Sequence, residues 1–73
     1  MGTTFERIKK VIAGLLEIDK DAITRETTIC DLGIDFEDLV YGIETEFDIN
    51  IFESQYRKLQ TVKDVVMYVQ NNS

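Results

Sequence analysis

The sequence predicts a small all-α protein: an antiparallel-type four-helix bundle with a long first loop and a short third helix, in a single domain over residues 1–73. Apolar residues recur at α-helical spacing in three stretches, without the alternation of a strand. Two of these stretches follow a Thr that has an acidic residue three positions later, which is a helix N-cap pattern. With 44% hydrophobic residues in a chain of 73, one small core is expected.

The first helix is expected from about Thr4 to Leu16. Thr3 and Glu6 form a capping-box pattern, in which a hydroxyl and a carboxylate satisfy the first backbone N–H groups. Apolar residues recur along one side: Phe5, Ile8, Val11, Ile12, Leu15 and Leu16. Charged residues are expected to face solvent: Glu6, Arg7, Lys9 and Lys10.

Residues 17–34 show no sustained period and predict a long irregular connection. A loop of this length in a compact domain needs side chains that pack onto the helices. Four residues are the expected anchors: Ile18, Ile23, Ile29 and Leu32. Cys30 lies between two of them and is interpreted as a small buried apolar residue.

The central helix is predicted from the spacing of five apolar residues at i, i+3, i+4, i+7 and i+11: Phe36, Leu39, Val40, Ile43 and Phe47. The other side is acidic, with no Lys or Arg anywhere in residues 26–56. Its carboxylates are Glu37, Asp38, Glu44 and Glu46, with Asp35 and Asp48 at the two ends. The segment therefore predicts an amphipathic helix whose exposed face is negative.

A short helical turn is expected at residues 52–56, after the turn formers Asp48 and Asn50. Thr61 predicts the N-cap of the last helix, with Asp64 favourable at its positive end. The inward stripe is Val62, Val65, Val66 and Val69, and the helix should end near Gln70, which leaves a frayed tail. Ten side chains are predicted to hold the core: Phe5, Ile8, Ile12, Leu15, Leu39, Ile43, Phe47, Val62, Val65 and Val69.

The sequence DLGI, followed by an acidic amphipathic helix that ends in ETEFDINI, resembles the central region of acyl carrier proteins. The long first loop is also similar, with Ile18 and Ile23 at places where the family has Ile or Val. The resemblance implies the four-helix bundle of that family. The family's short third helix usually follows a proline, and Phe52 takes that place here.

In this family the loop reads DLG-x-DSL, and the serine that opens the helix carries a 4′-phosphopantetheine arm. No residue between Gly33 and Asp38 has a hydroxyl. When DLGI and EFDINI are both aligned with the family, a gap of three residues falls between Ile34 and Phe36. The expected attachment point therefore adjoins Ile34, Asp35 and Phe36. The resemblance implies 4′-phosphopantetheine as the cofactor, and we expect none on this chain.

Acidic positions on the central helix of acyl carrier proteins meet Lys and Arg patches of partner enzymes. The resemblance therefore implies five docking residues: Asp35, Glu37, Asp38, Glu44 and Glu46. The implied partners are acyl-transfer or synthase enzymes of fatty acid or polyketide biosynthesis and the phosphopantetheinyl transferase. Lipid A and aminoacyl carriers share the scaffold, so the resemblance does not specify the pathway or the acyl group. The alternative is a non-carrier interaction module that stabilises or regulates a partner through the same helix.

The net charge of −6, from 14 acidic and 8 basic residues, argues against nucleic acid and anionic membranes as partners. No apolar run approaches the roughly 18 residues of a membrane span, and no signal-peptide pattern occurs. We therefore expect a cytoplasmic monomer that does not insert into membranes.

Catalysis and metal binding are not expected. The chain has one Cys and no His, so a thiol nucleophile would have no imidazole base and zinc would lack ligands. The acidic cluster Asp35, Glu37 and Asp38 has neither the alternating ligands nor the glycine of a calcium loop. Carboxylates at a helix start are explained by the helix dipole alone. The sequence therefore predicts a protein that is not an enzyme.

Overall fold

A computed structural model describes residues 3–72 of the chain. It contains three α-helices, which we number α1 (Thr4–Leu16), α2 (Phe36–Phe47) and α3 (Val62–Asn72). A shorter 3₁₀ helix, Glu53–Lys58, follows α2. α1 packs against both α2 and α3. Within the described residues no strand is formed beyond a single bridge between Thr28 and Thr61. The predicted all-α bundle, with its long first loop and short third helix, is confirmed.

Each α-helix begins where a side chain caps its first backbone N–H groups. Thr3 Oγ1 accepts a hydrogen bond from the Glu6 N–H at 3.1 Å. At α3, Thr61 Oγ1 accepts from the Asp64 N–H at 3.2 Å, and the Asp64 carboxylate accepts in return from the Thr61 N–H at 3.0 Å. The predicted cap of α3 is confirmed. At α1 the Thr3 hydroxyl caps the helix as predicted, but the Glu6 carboxylate pairs with Lys9 and Lys20 and does not complete a capping box among residues 3–72.

The core lies between the three α-helices and the loops that cover them. Seven of the ten predicted core side chains are buried: Ile8, Ile12, Leu39, Ile43, Val62, Val65 and Val69. Phe5 and Phe47 are half-buried and pack against this cluster. The prediction that Leu15 is a core side chain was wrong, because Leu15 is 44% exposed. It faces α2 at Gly42, and a glycine has no side chain to cover it.

Residues 17–35 are irregular but firmly attached to the start of α3. The short 3₁₀ turns Lys20–Ala22 and Ile29–Leu32 lie within them. The Ile29 N–H donates to the Gln60 carbonyl at 2.8 Å, and the Val62 N–H donates to the Thr27 carbonyl at 2.9 Å. These bonds satisfy backbone groups that a loop over a core would otherwise leave unpaired.

The expected loop anchors are confirmed only in part. Ile23 and Ile29 are buried and Leu32 is half-buried, whereas Ile18 is 40% exposed and is not an anchor. Ile18 directly follows Glu17, whose left-handed backbone (φ 57°) ends α1 and turns the chain outward.

Cys30 is exposed, so its interpretation as a buried residue was wrong. It belongs to the 3₁₀ turn Ile29–Leu32, in which successive side chains point about 120° apart. Because Ile29 points into the core, its neighbour Cys30 points away from it.

Lys9 was expected to face solvent, but it is only 9% exposed. Its ammonium group lies 2.8 Å from a Glu6 carboxylate oxygen and 4.6 Å from the centroid of the Phe5 ring. The hydrogen bond from Lys9 holds the pKa of the Glu6 carboxyl below its ordinary value. The first turn of α1 therefore covers a lysine that the helical pattern placed outside.

The last helix is longer than predicted. α3 continues through Asn72, whose side-chain amide donates to the Tyr68 carbonyl at 2.8 Å. Asn71 and Asn72 are therefore helical, and the prediction of a frayed tail was wrong for them. Ser73, the last residue of that predicted tail, lies outside the described residues.

Candidate functional site

The sequence places the expected attachment point at the start of α2. There the loop leads into the helix with no additional residues between Ile34, Asp35 and Phe36. Gly33 ends the preceding 3₁₀ turn with a left-handed backbone (φ 69°), and Ile34 leads to Asp35. Asp35 is the N-cap: its carboxylate accepts a hydrogen bond from the Glu37 N–H at 3.0 Å. Phe36 is the first residue of the helix. The loop and the helix thus join directly at a phenylalanine.

Phe36 forms one wall of a cavity of about 620 Å³ that opens beside the start of α2. Its ring packs edge-to-face on Tyr56, with 4.9 Å between the ring centroids. The rest of the lining comes from the first loop and the region around the short third helix: Thr28, Ile29, Cys30, Arg57, Leu59 and Gln60. Phe36 is half-buried, so it both packs against the core and closes one side of this cavity.

The cavity has little charge of its own. Burial raises the pKa of the Tyr56 phenol, and the nearby carboxylates of Glu53, Glu44 and Glu37 raise it further. The phenol is therefore neutral at physiological pH. Arg57 contributes the cationic side chain of the lining. The cavity offers apolar contact without a nucleophile placed beside a base.

The predicted acidic docking residues divide into two groups along α2. Glu37 and Asp38, in the first turn, are exposed, and their carboxylates have no hydrogen bond or ion pair among residues 3–72. Both carboxylates are therefore exposed to solvent. Asp35 is also exposed, but its carboxylate already serves as the N-cap.

Glu44 and Glu46, nearer the end of α2, have partners within the molecule. A Glu44 carboxylate oxygen accepts a hydrogen bond from the backbone N–H of buried Ile51 at 2.8 Å. A Glu46 carboxylate oxygen accepts from Arg7 Nε at 2.8 Å, and the same guanidinium donates to the Glu46 carbonyl at 2.8 Å. Substituting these two residues would therefore lower the stability of the fold as well as change the surface charge.

A feature that the sequence reasoning missed is a groove between α1 and α2, with a volume of about 410 Å³. Two large side chains on its walls are exposed, Tyr41 to 72% and Leu15 to 44%. A signal for Tyr41 was present, because it falls at i+4 from Glu37 and i+3 from Asp38 on the acidic side of the helical pattern. No such signal existed for Leu15, which fits the core stripe of α1.

Two further properties bear on the kind of site. Across residues 3–72, no group of three or more His, Cys, Asp or Glu side chains is arranged to hold a metal ion. The helices in that part of the chain are all too short or too polar to cross a membrane.

The fold and the start of α2 can be compared with known proteins. No family model matches the chain. A protein of Campylobacter lari (strain RM2100 / D67 / ATCC BAA-1060), named acyl carrier protein, is 38% identical over 71 residues, which cover 92% of this chain and 92% of that relative. A protein of the same name from Campylobacter jejuni subsp. doylei (strain ATCC BAA-1458 / RM4099 / 269.97) is 39% identical over 72 residues, covering 93% of this chain and 94% of the relative.

Proposed function

Because the chain belongs to the acyl carrier protein family, we propose that it is a carrier-type docking protein that does not itself carry a thioester. It would present the acidic α2 to basic patches on acyl-transfer or synthase enzymes of fatty acid or polyketide-type biosynthesis. The observation that carries this proposal is Phe36, a side chain without a hydroxyl, as the first residue of α2.

The residues at the start of α2 do not fit a 4′-phosphopantetheine arm. Attachment of the arm needs a hydroxyl, and the Phe36 side chain has only carbon atoms, packed on Tyr56. The nearest upstream hydroxyls are those of Thr27 and Thr28. Thr27 Oγ1 accepts a hydrogen bond from the Thr24 N–H at 2.9 Å. Thr28 lines the cavity beside Phe36, but its backbone pairs with Thr61, and both threonines lie in the first loop at least eight residues before the first residue of α2.

The geometry of the helix N-cap indicates which residue of this chain occupies the place of the family's serine. Asp35 caps the helix and Phe36 opens it, which are the roles that the Asp-Ser pair of the family motif would fill. We infer that Phe36 stands in place of the serine. The three-residue shortfall relative to the family then lies within α2, rather than between Ile34 and Phe36.

The electrostatics support a docking role for the surface. The chain carries a net charge of −6, and Glu37 and Asp38 keep their carboxylates unpaired within the described part of the chain. Negative potential over one face accelerates encounter with a basic partner and orients it. Asp35, Glu44 and Glu46 would add to this long-range field while their carboxylates stay bonded within the fold.

A second candidate is a non-carrier module that stabilises or regulates a partner through α2. The same observation favours it, because a chain without an attachment hydroxyl can bind but cannot carry. The two candidates differ in the partner: a docking protein of the carrier type binds enzymes that recognise acyl carrier proteins. Binding to such an enzyme, measured with purified components, separates them.

The test of the missing attachment point is incubation with coenzyme A, Mg²⁺ and a promiscuous phosphopantetheinyl transferase, followed by intact-mass measurement. We expect no change for the parent chain and a gain of about 340 Da for Phe36→Ser, because the arm is added covalently to the new hydroxyl. Phe36→Ala is the matched control, since it removes the same ring without adding a hydroxyl. Circular dichroism checks that both variants stay helical.

A mass gain in the parent chain would overturn the proposal that this protein carries no arm. A helical Phe36→Ser variant that stays unmodified would overturn the assignment of Phe36 to the serine position. Insertion of Asp-Ser-Leu after Ile34 then tests the other placement of the gap, and modification of that variant would support it.

A further inference from the structure

We propose that the groove between α1 and α2 is the apolar centre of the docking surface, and that it receives one large apolar side chain of a partner whose neighbouring residues are Lys or Arg. This inference deepens the proposed docking function and rests on it. The proposed function names only the acidic face of α2, whereas this inference adds an apolar binding site. That site, the groove between α1 and α2, is separate from the cavity beside Phe36 and Tyr56.

The shape of the groove comes from two glycines, one on each helix. A Cβ atom built on Gly42 would lie 2.8 Å from a methyl carbon of Val11, so a larger residue there would force the Val11 side chain or the two helices to shift. A Cβ atom on Gly14 would meet nothing within 4 Å, so that position leaves open space. Close helix packing beside an unfilled position produces a groove of about 410 Å³.

The groove presents apolar surface that the fold leaves uncovered. Leu15 is 44% exposed and Tyr41 is 72% exposed, and both belong to its lining. Single exposed apolar side chains are common on protein surfaces, but these two line the same groove and so bring exposed apolar area to one site. Tyrosines at the centre of an interface are also frequent contributors to binding energy. The patch therefore suits a partner side chain that inserts between Leu15 and Tyr41.

The charges around Tyr41 indicate what should surround that inserted side chain. Glu37 and Asp38 precede Tyr41 by four and three residues, and Glu44 follows it by three, so all are neighbours on the helix surface. Asp38 also lines the groove, with no carboxylate partner among residues 3–72. Lys or Arg beside the inserted residue would pair with this wall. A second copy of this chain would bring the same negative face and is disfavoured by like-charge repulsion.

The groove also has a polarity that orients the partner. Lys10 lines it from α1, whereas Asp38 and Glu46 line it from α2. Glu46 is already paired with Arg7, which leaves Asp38 as the available carboxylate on the α2 wall. The basic residues of the partner should therefore lie toward α2, and its apolar residue should lie over the groove itself.

The experiment uses a dye-labelled helical peptide of Leu and Lys, with the Leu residues along one face, and a second peptide with Ala in place of every Leu. Fluorescence anisotropy gives the affinity of each peptide for the full chain at low and high salt. Proton–nitrogen NMR spectra of the ¹⁵N-labelled chain give the location of binding. The variants are Tyr41→Ala and Leu15→Ala. Met67→Ala is the matched control, because Met67 is a 50% exposed apolar residue on α3 that does not line the groove.

We expect the Leu peptide to bind more tightly than the Ala peptide. Tyr41→Ala should lower the affinity for the Leu peptide about tenfold, which is typical of a central interface residue. Leu15→Ala should weaken it less, and Met67→Ala should leave it unchanged. The largest chemical-shift changes should fall on Gly14, Gly42 and Thr45. Their amide signals report on the groove without belonging to the acidic first turn.

If the two peptides bound equally and added salt weakened both, the proposal that the groove binds an apolar side chain would be overturned, while acidic docking would stand. Shift changes centred on Phe36, Tyr56 and Leu59 would also overturn it, since they would place the apolar contact in the other cavity. Binding that added salt does not weaken would overturn the acidic docking surface itself. The failure of the groove and the failure of the proposed function are thus distinguished.

Discussion

The two ends of α2 carry the same residue types but use them differently. In the first turn, Glu37 and Asp38 are exposed and their carboxylates have no partner among residues 3–72. Near the last turn, the Glu44 carboxylate accepts from the Ile51 N–H, and the Glu46 carboxylate accepts from Arg7, each at 2.8 Å. The comparison shows that one acidic helix face contains both a free surface and a set of structural contacts.

The helix dipole explains why the two ends differ. The N-terminal end of an α-helix is partially positive, so the carboxylates of Glu37 and Asp38 are stabilised there without any further contact. The C-terminal end is partially negative, so carboxylates at Glu44 and Glu46 are unfavourable unless another group compensates for them. The Ile51 N–H and the Arg7 guanidinium provide that compensation. These contacts offset the unfavourable dipole at Glu44 and Glu46, whereas the exposed carboxylate of Asp48, just beyond the helix, has no such partner among residues 3–72.

The largest effect is expected for Glu44→Ala. It removes the acceptor for the backbone N–H of buried Ile51, and a buried donor left without a partner costs about 1–3 kcal/mol. We expect the free energy of unfolding, measured by urea denaturation, to fall by that amount. The neighbouring substitution Thr45→Ala is the control, because Thr45 is exposed and makes no hydrogen bond from its side chain within residues 3–72.

Glu44→Gln separates the hydrogen bond from the charge. It keeps an acceptor oxygen, so it should recover most of the stability that Glu44→Ala loses. If Glu44→Ala unfolded at the same urea concentration as the parent chain, Glu44 would belong with the free carboxylates and the contrast between the two ends would disappear.

A smaller effect is expected for Arg7→Gln, which removes the second contact at this end of α2. The guanidinium pairs with Glu46, donates to its carbonyl, and lies 4.4 Å from the centroid of the Phe47 ring. The ion pair is about 40% exposed, at 43% and 39% for the two side chains, so solvent screens it. Together with the ring contact we expect a loss of about 1–2 kcal/mol in the free energy of unfolding.

Glu46→Gln is the comparison for Arg7→Gln, because it weakens the ion pair and leaves the carbonyl and ring contacts in place. Thermal unfolding followed by circular dichroism should therefore show a smaller loss for Glu46→Gln. Equal losses for the two variants would mean that the ion pair alone joins α1 to the end of α2.

Much of the fold could be predicted from local patterns, because caps and helical periodicity involve residues close together in the chain. The bounds of α1 and the start of α3 follow from Thr3 and Thr61 in this way. The pairing of Arg7 with Glu46 could not be predicted, because the residues are 39 positions apart. The exposure of Leu15 depends in the same way on a glycine in another helix. Local patterns therefore located the acidic residues and left open which of them are free.

The pair Glu37→Gln and Asp38→Asn is expected to have the smallest effect on stability and a clear effect on association. Both carboxylates are exposed and favoured only by the helix dipole, which salt screens, so the loss should be below about 0.5 kcal/mol for each at physiological ionic strength. The rate of association with a carrier-protein-dependent synthase should fall about threefold to tenfold at low salt, because two steering charges are removed. Stopped-flow fluorescence measures that rate.

The matched control is Glu17→Gln with Glu26→Gln, which removes two exposed charges outside α2 and so changes the net charge equally. Since overall charge is the same in the two variants, a slower rate only for the α2 pair assigns steering to the first turn of that helix. Equal slowing in both would mean that net charge matters and the position on α2 does not, and the free end of the helix would then have no special role in docking.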